Sequence, residues 1–144
     1  MERPTAVVDA SVAVKWFLDE PGSLEARALL DGSRSLAVPD LIYAEVGNVL
    51  WKHVRRGTLT GEEAQAVLEG LGQAPWSVQS AASLVAAALE IAAQTGCTVY
   101  DGLYLALAIG RDGVLVTADR RLYERVETTE LARYIEVVTA PLEG

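Results

Sequence analysis

The chain has 144 residues, a length that suits one domain and lets it bury about two thirds of the surface that the unfolded chain exposes. Its one cysteine, Cys97, excludes a disulfide framework and a zinc site built from thiolates, and it favours a reduced compartment such as the cytoplasm. The formal net charge of −8 excludes a passive nucleic-acid binder, which needs a broad positive potential, but not an enzyme that gathers acids around a cation.

Hydrophobic residues make up 51% of the chain, and they follow periods of two and about 3.6 residues in alternation, which indicates strands and helices in turn. The clearest helix has Asp40 as its predicted N-cap and Gly57 as its closing residue, and Thr60 is the predicted N-cap of the next. The first half is predicted to contain a strand over 5–10 that ends at Asp9, helices over 11–18 and 24–30, a strand over 35–39, and helices over 40–57 and 60–71.

The second half is predicted to contain a weak third strand around 76–78, helices over 80–95 and from 98 onwards, a turn at 111–113, a strand over 113–119 that ends near Thr117, a short helix and a strand over 134–139. Strands that alternate with helices predict right-handed crossovers, hence a mostly parallel sheet of four to five strands in a three-layer α/β/α sandwich. The high apolar content fits a sheet covered on both faces, or a permanent interface with a partner.

No membrane span is expected, because the most apolar segment, 83–93, is short for a bilayer and contains Glu90. The first residues also lack the basic start and long apolar run of a signal peptide. We therefore expect a soluble, cytoplasmic protein.

Four acids are predicted near one edge of this sheet, where ligands of parallel sheets bind. Asp9 and Asp119 end two strands that we expect to be central neighbours, and Glu45 lies just over one turn into the helix that leaves the second strand. Asp101 lies in the first turn of its helix, whose direction the sequence leaves open. Each acid also has an ordinary explanation: Asp9 and Asp119 as N-caps worth about 1 kcal/mol, Glu45 as an exposed helix residue, and Asp101 as the capping-box partner of Thr98. Those separate explanations do not predict that the four acids lie close together, whereas a common function at one site does.

Convergence of these acids has an electrostatic consequence. Two carboxylates about 4 Å apart repel by about 4 kcal/mol at an effective dielectric constant of about 20, so a cluster must take up protons or bind a cation. The single histidine, His53, is not expected near the acids, and Cys97 is expected elsewhere as a small buried residue. The remaining ligands are all oxygens, which favours Mg²⁺ or Mn²⁺ over Zn²⁺.

Four segments together resemble the PIN-domain ribonucleases and, within them, the VapC-type toxins of toxin–antitoxin pairs. The stretch VVDASVAVKWFLDE (7–20) is similar to the first motif of that family, and PDLIYAEVGNVLWK (39–52) is similar to its glutamate-containing helix. TVYDGLYLALA (98–108) and LVTADRRL (115–122) are similar to the third and fourth acidic motifs. The segments occur in order over nearly the whole chain, which predicts a single PIN domain over 1–144. Gly102 departs from the alanine that the family often carries.

The resemblance implies hydrolysis of RNA phosphodiester bonds by an activated water, dependent on Mg²⁺ or Mn²⁺. It implies a catalytic and metal-binding quartet with three supporting polar residues: Asp9, Glu45, Asp101 and Asp119, with Ser11, Asn48 and Thr117. Three of the acids would be direct or water-mediated ligands, whereas Glu45 would orient water or hold a second ion. The family also implies a homodimer and a cognate VapB-like antitoxin whose tail covers the cleft.

Other functional classes fit less well. A phosphoacceptor receiver domain needs an adjacent acidic pair after the first strand and a lysine after the last, but Asp9 is followed by Ala10 and both lysines lie in the first half. A haloacid-type phosphatase needs a second aspartate where Ser11 stands. A catalytically silent PIN module that binds proteins stays open. Basic side chains either follow an RNA backbone or cover solvated helix faces: Lys52, His53, Arg55, Arg56, Arg120, Arg121 and Arg125.

Overall fold

A computed structural model describes residues 3–138, in which helices connect the strands of one five-stranded sheet. The strands are Thr5–Val8 (β1), Ser35–Pro39 (β2), Trp76–Gln79 (β3), Val114–Thr117 (β4) and Ile135–Val137 (β5). The α-helices are Ala10–Ala13 (α1), Ser23–Ala28 (α2), Leu41–Arg56 (α3), Gly61–Leu71 (α4), Ala81–Thr95 (α5), Val99–Gly110 (α6) and Arg120–Glu127 (α7). Short 3₁₀ turns follow at Val14–Trp16, Leu29–Asp31 and Ala132–Tyr134.

The strand order is β3-β2-β1-β4-β5, and every pairing is parallel. All carboxyl ends of the strands therefore lie at one edge of the sheet. β1 and β4 are central neighbours, as predicted, and the pairing of Val8 with Val116 brings Asp9 beside Thr117. The residues of β1, β2 and β4 are buried along nearly their whole length, because helices cover both faces of the sheet. The weakly predicted third strand is confirmed as the edge strand β3.

Helix α6 lies at the centre of the fold and contacts β1, β2 and β4. Its residues from Gly102 to Ala108 are all buried, which explains why this segment is apolar on every side. Helix α5 packs closely against it: a Cβ on Gly102 would lie 2.6 Å from the carbonyl oxygen of Ala88. The close approach requires glycine at this position. Within residues 3–138, no single helix meets the length and hydropathy needed to span a membrane, and α5 and α6 do so only as a pair bent by 110°.

Three local predictions were wrong in detail. The helix predicted over 11–18 is a single α-turn followed by 3₁₀ helix, since the chain leaves α1 after Ala13. Asp40 does not cap α3 with its side chain; its Oδ1 instead accepts a hydrogen bond from the N–H of Ala81, 3.0 Å away on α5. The last strand is shorter than predicted, at Ile135–Val137, and Thr139 lies outside the described residues. Thr60 and Gly57 begin and end their helices as predicted.

Candidate active site

Asp9 follows β1 directly and is the centre of a hydrogen-bond network at the carboxyl edge of the sheet. Only 9% of its surface is exposed. Its Oδ1 accepts from the hydroxyl of Ser11 and from the N–H of Val12 at 3.3 Å, and its Oδ2 accepts from the hydroxyl of Thr117. Asp9 is therefore the N-cap of α1, as its ordinary explanation predicted, and at the same time a buried carboxylate at the sheet edge.

The hydroxyls of Ser11 and Thr117 join the ends of β1 and β4. Ser11 Oγ accepts from the N–H of Ala118 at 2.9 Å, and Thr117 Oγ1 accepts from the N–H of Asp119 at 3.0 Å. Each hydroxyl thus donates to Asp9 and accepts from the backbone after β4. This double link fixes the distance between the Asp9 and Asp119 segments.

Asp119 begins α7 and is exposed at the same edge. Its Oδ1 accepts from the N–H groups of Arg121 and Leu122, at 3.0 and 3.2 Å, so its capping role is also real. Both cap bonds go to Oδ1. The Oδ2 atom is not used by the cap.

Asp101 lies in the first turn of α6, on the side of the helix that faces Asp119. A cavity of about 140 Å³ separates the two segments and is lined by both aspartates and by Arg121 and Arg125. The N-terminus of α6 therefore points to the carboxyl edge of the sheet, which the sequence had left open. Thr98 caps the helix by accepting from the N–H of Asp101 at 3.0 Å.

Cys97 lines the same cavity, so the expectation that it lies away from the acids was wrong. It is the buried residue that the sequence predicted, at 8% exposure. Burial is the main reason that its pKa is raised, and the charge of Asp101 adds to the effect. The group is therefore a neutral thiol at physiological pH, and a neutral thiol is a poor ligand for hard cations.

Glu45 is half-buried on α3 and is held by a residue that sequence reasoning missed. The hydroxyl of Tyr104 donates to Glu45 Oε1 at 2.5 Å. Tyr104 lies in the middle of α6 with 2% of its surface exposed. Burial and the neighbouring Glu45 raise its pKa, so the phenol stays protonated and acts as a donor. The available signal was the hydroxyl itself, because a tyrosine in an apolar helix needs a partner for its O–H.

The four acids influence one another electrostatically, with Asp101 between the others. Burial raises the pKa of Asp9 to about 6, against the lowering effect of its hydrogen bonds, and Asp101 contributes a further rise. Burial also raises the pKa of Glu45, again with a contribution from Asp101. The pKa of Asp101 is raised by burial and by the charge of Asp119, while Thr98 and Arg125 lower it. The charge of Asp101 thus makes Asp9 and Glu45 harder to ionise, and the charge of Asp119 makes Asp101 harder to ionise.

The side chains of the four acids nevertheless do not form a single set of ligands around one point. Within residues 3–138, no three carboxylate, imidazole or thiol groups come close enough together to hold a single metal ion. The cap bonds of Asp9 and Asp119 direct carboxylate oxygens towards backbone N–H groups, and Tyr104 holds an oxygen of Glu45.

Most of the remaining predicted residues do not line the cavity. Asn48 is exposed on α3, one turn after Glu45. His53 Nδ1 lies 2.8 Å from Thr58 Oγ1 at the end of α3 and takes no part in the site. Of the seven basic residues, Arg121 and Arg125 line the cavity, and Arg125 donates to the carbonyl oxygen of Gly96.

Comparisons with known proteins agree with this arrangement. The family model described as PIN domain matches residues 6–128. Ribonuclease VapC3 from Pyrobaculum aerophilum is 40% identical over 121 residues, which cover 83% of this chain and 92% of the relative. Among solved structures, PAE2754 from Pyrobaculum aerophilum has a TM-score of 0.67 at 28% identity, over 91% of this chain and 89% of that one. A toxin–antitoxin complex from Klebsiella pneumoniae has a TM-score of 0.60 at 16% identity, over 81% and 88% of the two chains.

Proposed function

The chain belongs to the PIN domain family, and we propose that within this family it is a divalent-metal-dependent endoribonuclease of the VapC type that hydrolyses RNA phosphodiester bonds. Its relative from Pyrobaculum aerophilum bears the name ribonuclease, and their similarity covers most of both chains. The observation that carries the proposal is the position of four acids at the carboxyl edge of the sheet, where the charge of Asp101 adds to the burial that raises the pKa of Asp9 and of Glu45, and the charge of Asp119 does the same for the pKa of Asp101. We further propose that residues 1–144 form one PIN domain that acts in the cytoplasm.

The donor set of this edge fits a hard divalent cation. Its ionisable donors are carboxylates, and the one nearby thiol is neutral, so oxygen ligands dominate as Mg²⁺ and Mn²⁺ prefer. Since no three such groups within residues 3–138 come close enough to hold an ion by themselves, we propose that the cation keeps several of its waters, as Mg²⁺ commonly does. We propose that Asp9, Asp101 and Asp119 hold the cation directly or through water, and that Glu45 orients water or holds a second ion. When bound, the cation would polarise a phosphoryl oxygen and increase the acidity of a water.

The surrounding residues would prepare the site for the substrate. Ser11 and Thr117 keep Asp9 oriented through their hydroxyls. Asn48 is a third supporting residue by resemblance, one turn from Glu45 on the exposed side of α3. Arg121 and Arg125 line the cavity, and we propose that their guanidinium groups pair with phosphates of the RNA backbone and offset the negative charge of the acids.

We propose two protein partners. The first is a VapB-like antitoxin, suggested by the toxin–antitoxin complex from Klebsiella pneumoniae, which shares the fold. The second is another copy of the chain. Val85 and Leu89, one turn apart on α5, expose 47% and 62% of their surfaces, and Trp51 on α3 exposes 55%. Apolar side chains this exposed favour a homodimer that covers them.

RNA cleavage by matched variants tests the activity. We expect brief expression to produce discrete cut sites in cellular RNA, and purified protein to cut the same sites only with Mg²⁺ or Mn²⁺. The Asp9→Asn and Asp119→Asn variants should abolish cutting while remaining folded. Asp112→Asn is the control, because this exposed aspartate lies in the turn at the opposite edge and its φ of +50° suits asparagine.

Two results separate the alternatives. A folded wild-type protein that cuts no RNA with either metal, yet binds its antitoxin, indicates a catalytically silent PIN module. Cutting by Asp9→Asn at the wild-type rate contradicts the assignment of the acids, even if the protein is a nuclease.

A further inference from the structure

A second and larger cavity opens at the opposite edge of the sheet, where the strands begin. Its volume is about 480 Å³, and its walls include the first residues of β2 and β3, the 3₁₀ turn after α2 and the turn after α6. This volume lies in the range of pockets that bind small molecules, about 300–1,000 Å³. β2 has five residues, so at about 3.3 Å per residue the cavity is on the order of 13 Å or more from the acidic edge.

The charge of this cavity is opposite to that of the chain. Three arginines line it: Arg3, Arg34 and Arg111. In the part of the chain that the structure describes, no carboxylate lines it. The chain has only 12 basic residues against 20 acidic ones, so three guanidinium groups around one cavity form a local positive region in a negative protein.

Among the residues that the structure describes, two of these arginines have neutral hydrogen-bond partners, which do not compensate their charge. Arg3 Nη1 donates to the carbonyl oxygen of Gly32 at 3.0 Å, and Arg111 Nη1 lies 3.4 Å from Ser77 Oγ. A guanidinium has five N–H donors, so a single bond to a neutral acceptor leaves others for a ligand. Arg34 pairs with Glu136 at 3.3 Å, an exposed contact of the kind that stabilises little.

The remaining walls suit the organic part of a ligand. The hydroxyls of Ser35 and Ser77 are at the strand starts, and Leu29, Leu30 and Pro75 add apolar surface. A phosphate alone would fill only a small part of about 480 Å³, whereas a nucleoside would use the apolar walls. Arginine binds phosphate through two parallel N–H···O bonds. A ligand with a terminal phosphate therefore gains more from these arginines than an uncharged apolar compound does.

We propose that this cavity binds the phosphate monoester of a nucleoside, with Arg3 and Arg111 as phosphate ligands. Two sources present that chemistry: a free nucleotide, or the 5′-phosphorylated end of an RNA chain. The site is separate from the acidic edge, so it does not depend on the proposed ribonuclease activity.

Calorimetric titration of the full chain tests the proposal, in EDTA so that no metal links phosphate to the acids. The probes are inorganic pyrophosphate, adenosine 5′-monophosphate, and one short RNA with either a 5′-phosphate or a 5′-hydroxyl. We expect wild type to bind the monophosphate more tightly than pyrophosphate, and Arg3→Gln and Arg111→Gln each to weaken it by about tenfold. Arg133→Gln is the control, because this exposed arginine does not line the cavity and is not among the basic residues considered for the RNA backbone.

The RNA pair identifies the source. Tighter binding of the 5′-phosphorylated RNA than of either the 5′-hydroxyl RNA or the monophosphate, lost in Arg111→Gln, assigns the site to RNA ends. Equal binding of monophosphate and phosphorylated RNA assigns it to free nucleotides. The proposal is overturned by two results: no binding of any probe at millimolar concentration, or an equal loss in Arg133→Gln, which indicates unspecific attraction. Unchanged thermal unfolding of the arginine variants excludes misfolding as the cause.

Discussion

Replacing Asp9 by asparagine should make the metal-free protein more stable at neutral pH. Burial raises the pKa of Asp9 from its ordinary value of 3.8 to about 6, so the folded state disfavours its charge. A tenfold change in proton affinity corresponds to about 1.4 kcal/mol, and the rise therefore corresponds to about 3 kcal/mol of destabilisation once the group is ionised in both states.

The amide of asparagine can keep most of the local hydrogen bonds. Its oxygen can accept from Ser11 and Val12 as Oδ1 does now. Its NH₂ group would face Thr117, whose hydroxyl can turn and accept. Some strain from this exchange offsets the gain, so we expect Asp9→Asn to raise the free energy of unfolding by about 1–3 kcal/mol at neutral pH.

The pH dependence of this difference is the sharper test. Since the folded pKa lies above the unfolded one, the Asp9 carboxyl destabilises wild type increasingly as pH rises from about 4 to about 6, and by no more above that range. Urea unfolding in EDTA at a series of pH values should show a difference between the proteins that is small at pH about 4 and largest above pH about 6. A difference that does not change with pH, or a variant that is less stable at neutral pH, refutes the reasoning.

Three other changes have defined outcomes. Tyr104→Phe removes the hydrogen bond to Glu45, so the rate of RNA cleavage should fall by about tenfold or more. Tyr104→Trp is not a suitable variant, because tryptophan is too large for this position. An unchanged cleavage rate with an unchanged pH profile contradicts a positioning role for Tyr104. Gly102→Ala places a Cβ 2.6 Å from the carbonyl oxygen of Ala88, so thermal unfolding should report a loss of about 1–3 kcal/mol, and unaltered stability means that α5 can shift. Leu89→Glu adds a charge to the exposed face of α5, and light scattering should then show monomers where wild type is dimeric.

The sequence predicted most helices and strands, because they depend on local periodicity. It also predicted that the acids lie at the carboxyl edge of the sheet, because this follows from the topology. The parallel order of β1 and β4 follows from alternating strands and helices, and it is sufficient to bring Asp9 and Thr117 together across 108 positions. The caps at Thr60 and Thr98 also follow from local chemistry, since each side chain bonds to a backbone group three residues away. Such features are readable because few residues determine them.

Features that depend on tertiary contacts could not be read in this way. Asp40 has every local property of an N-cap, yet its side chain bonds to Ala81 because β3 places the start of α5 beside it. The link between Tyr104 and Glu45 joins positions 59 apart and depends on how α6 crosses the sheet. The cavity at the amino edge likewise gathers Arg3 and Arg111 from segments that share no motif.

The thiol of Cys97 is a site for selective chemical labelling at the acidic edge. It is the only cysteine in the chain and lines the cavity between Asp101 and Asp119. A small alkylating reagent would therefore mark this one position, and mass spectrometry would give its occupancy without ambiguity. Alkylation should be slow at neutral pH, because burial keeps the group protonated. Protection of the thiol would then report occupancy of the cleft by substrate or antitoxin, without any cleavage assay.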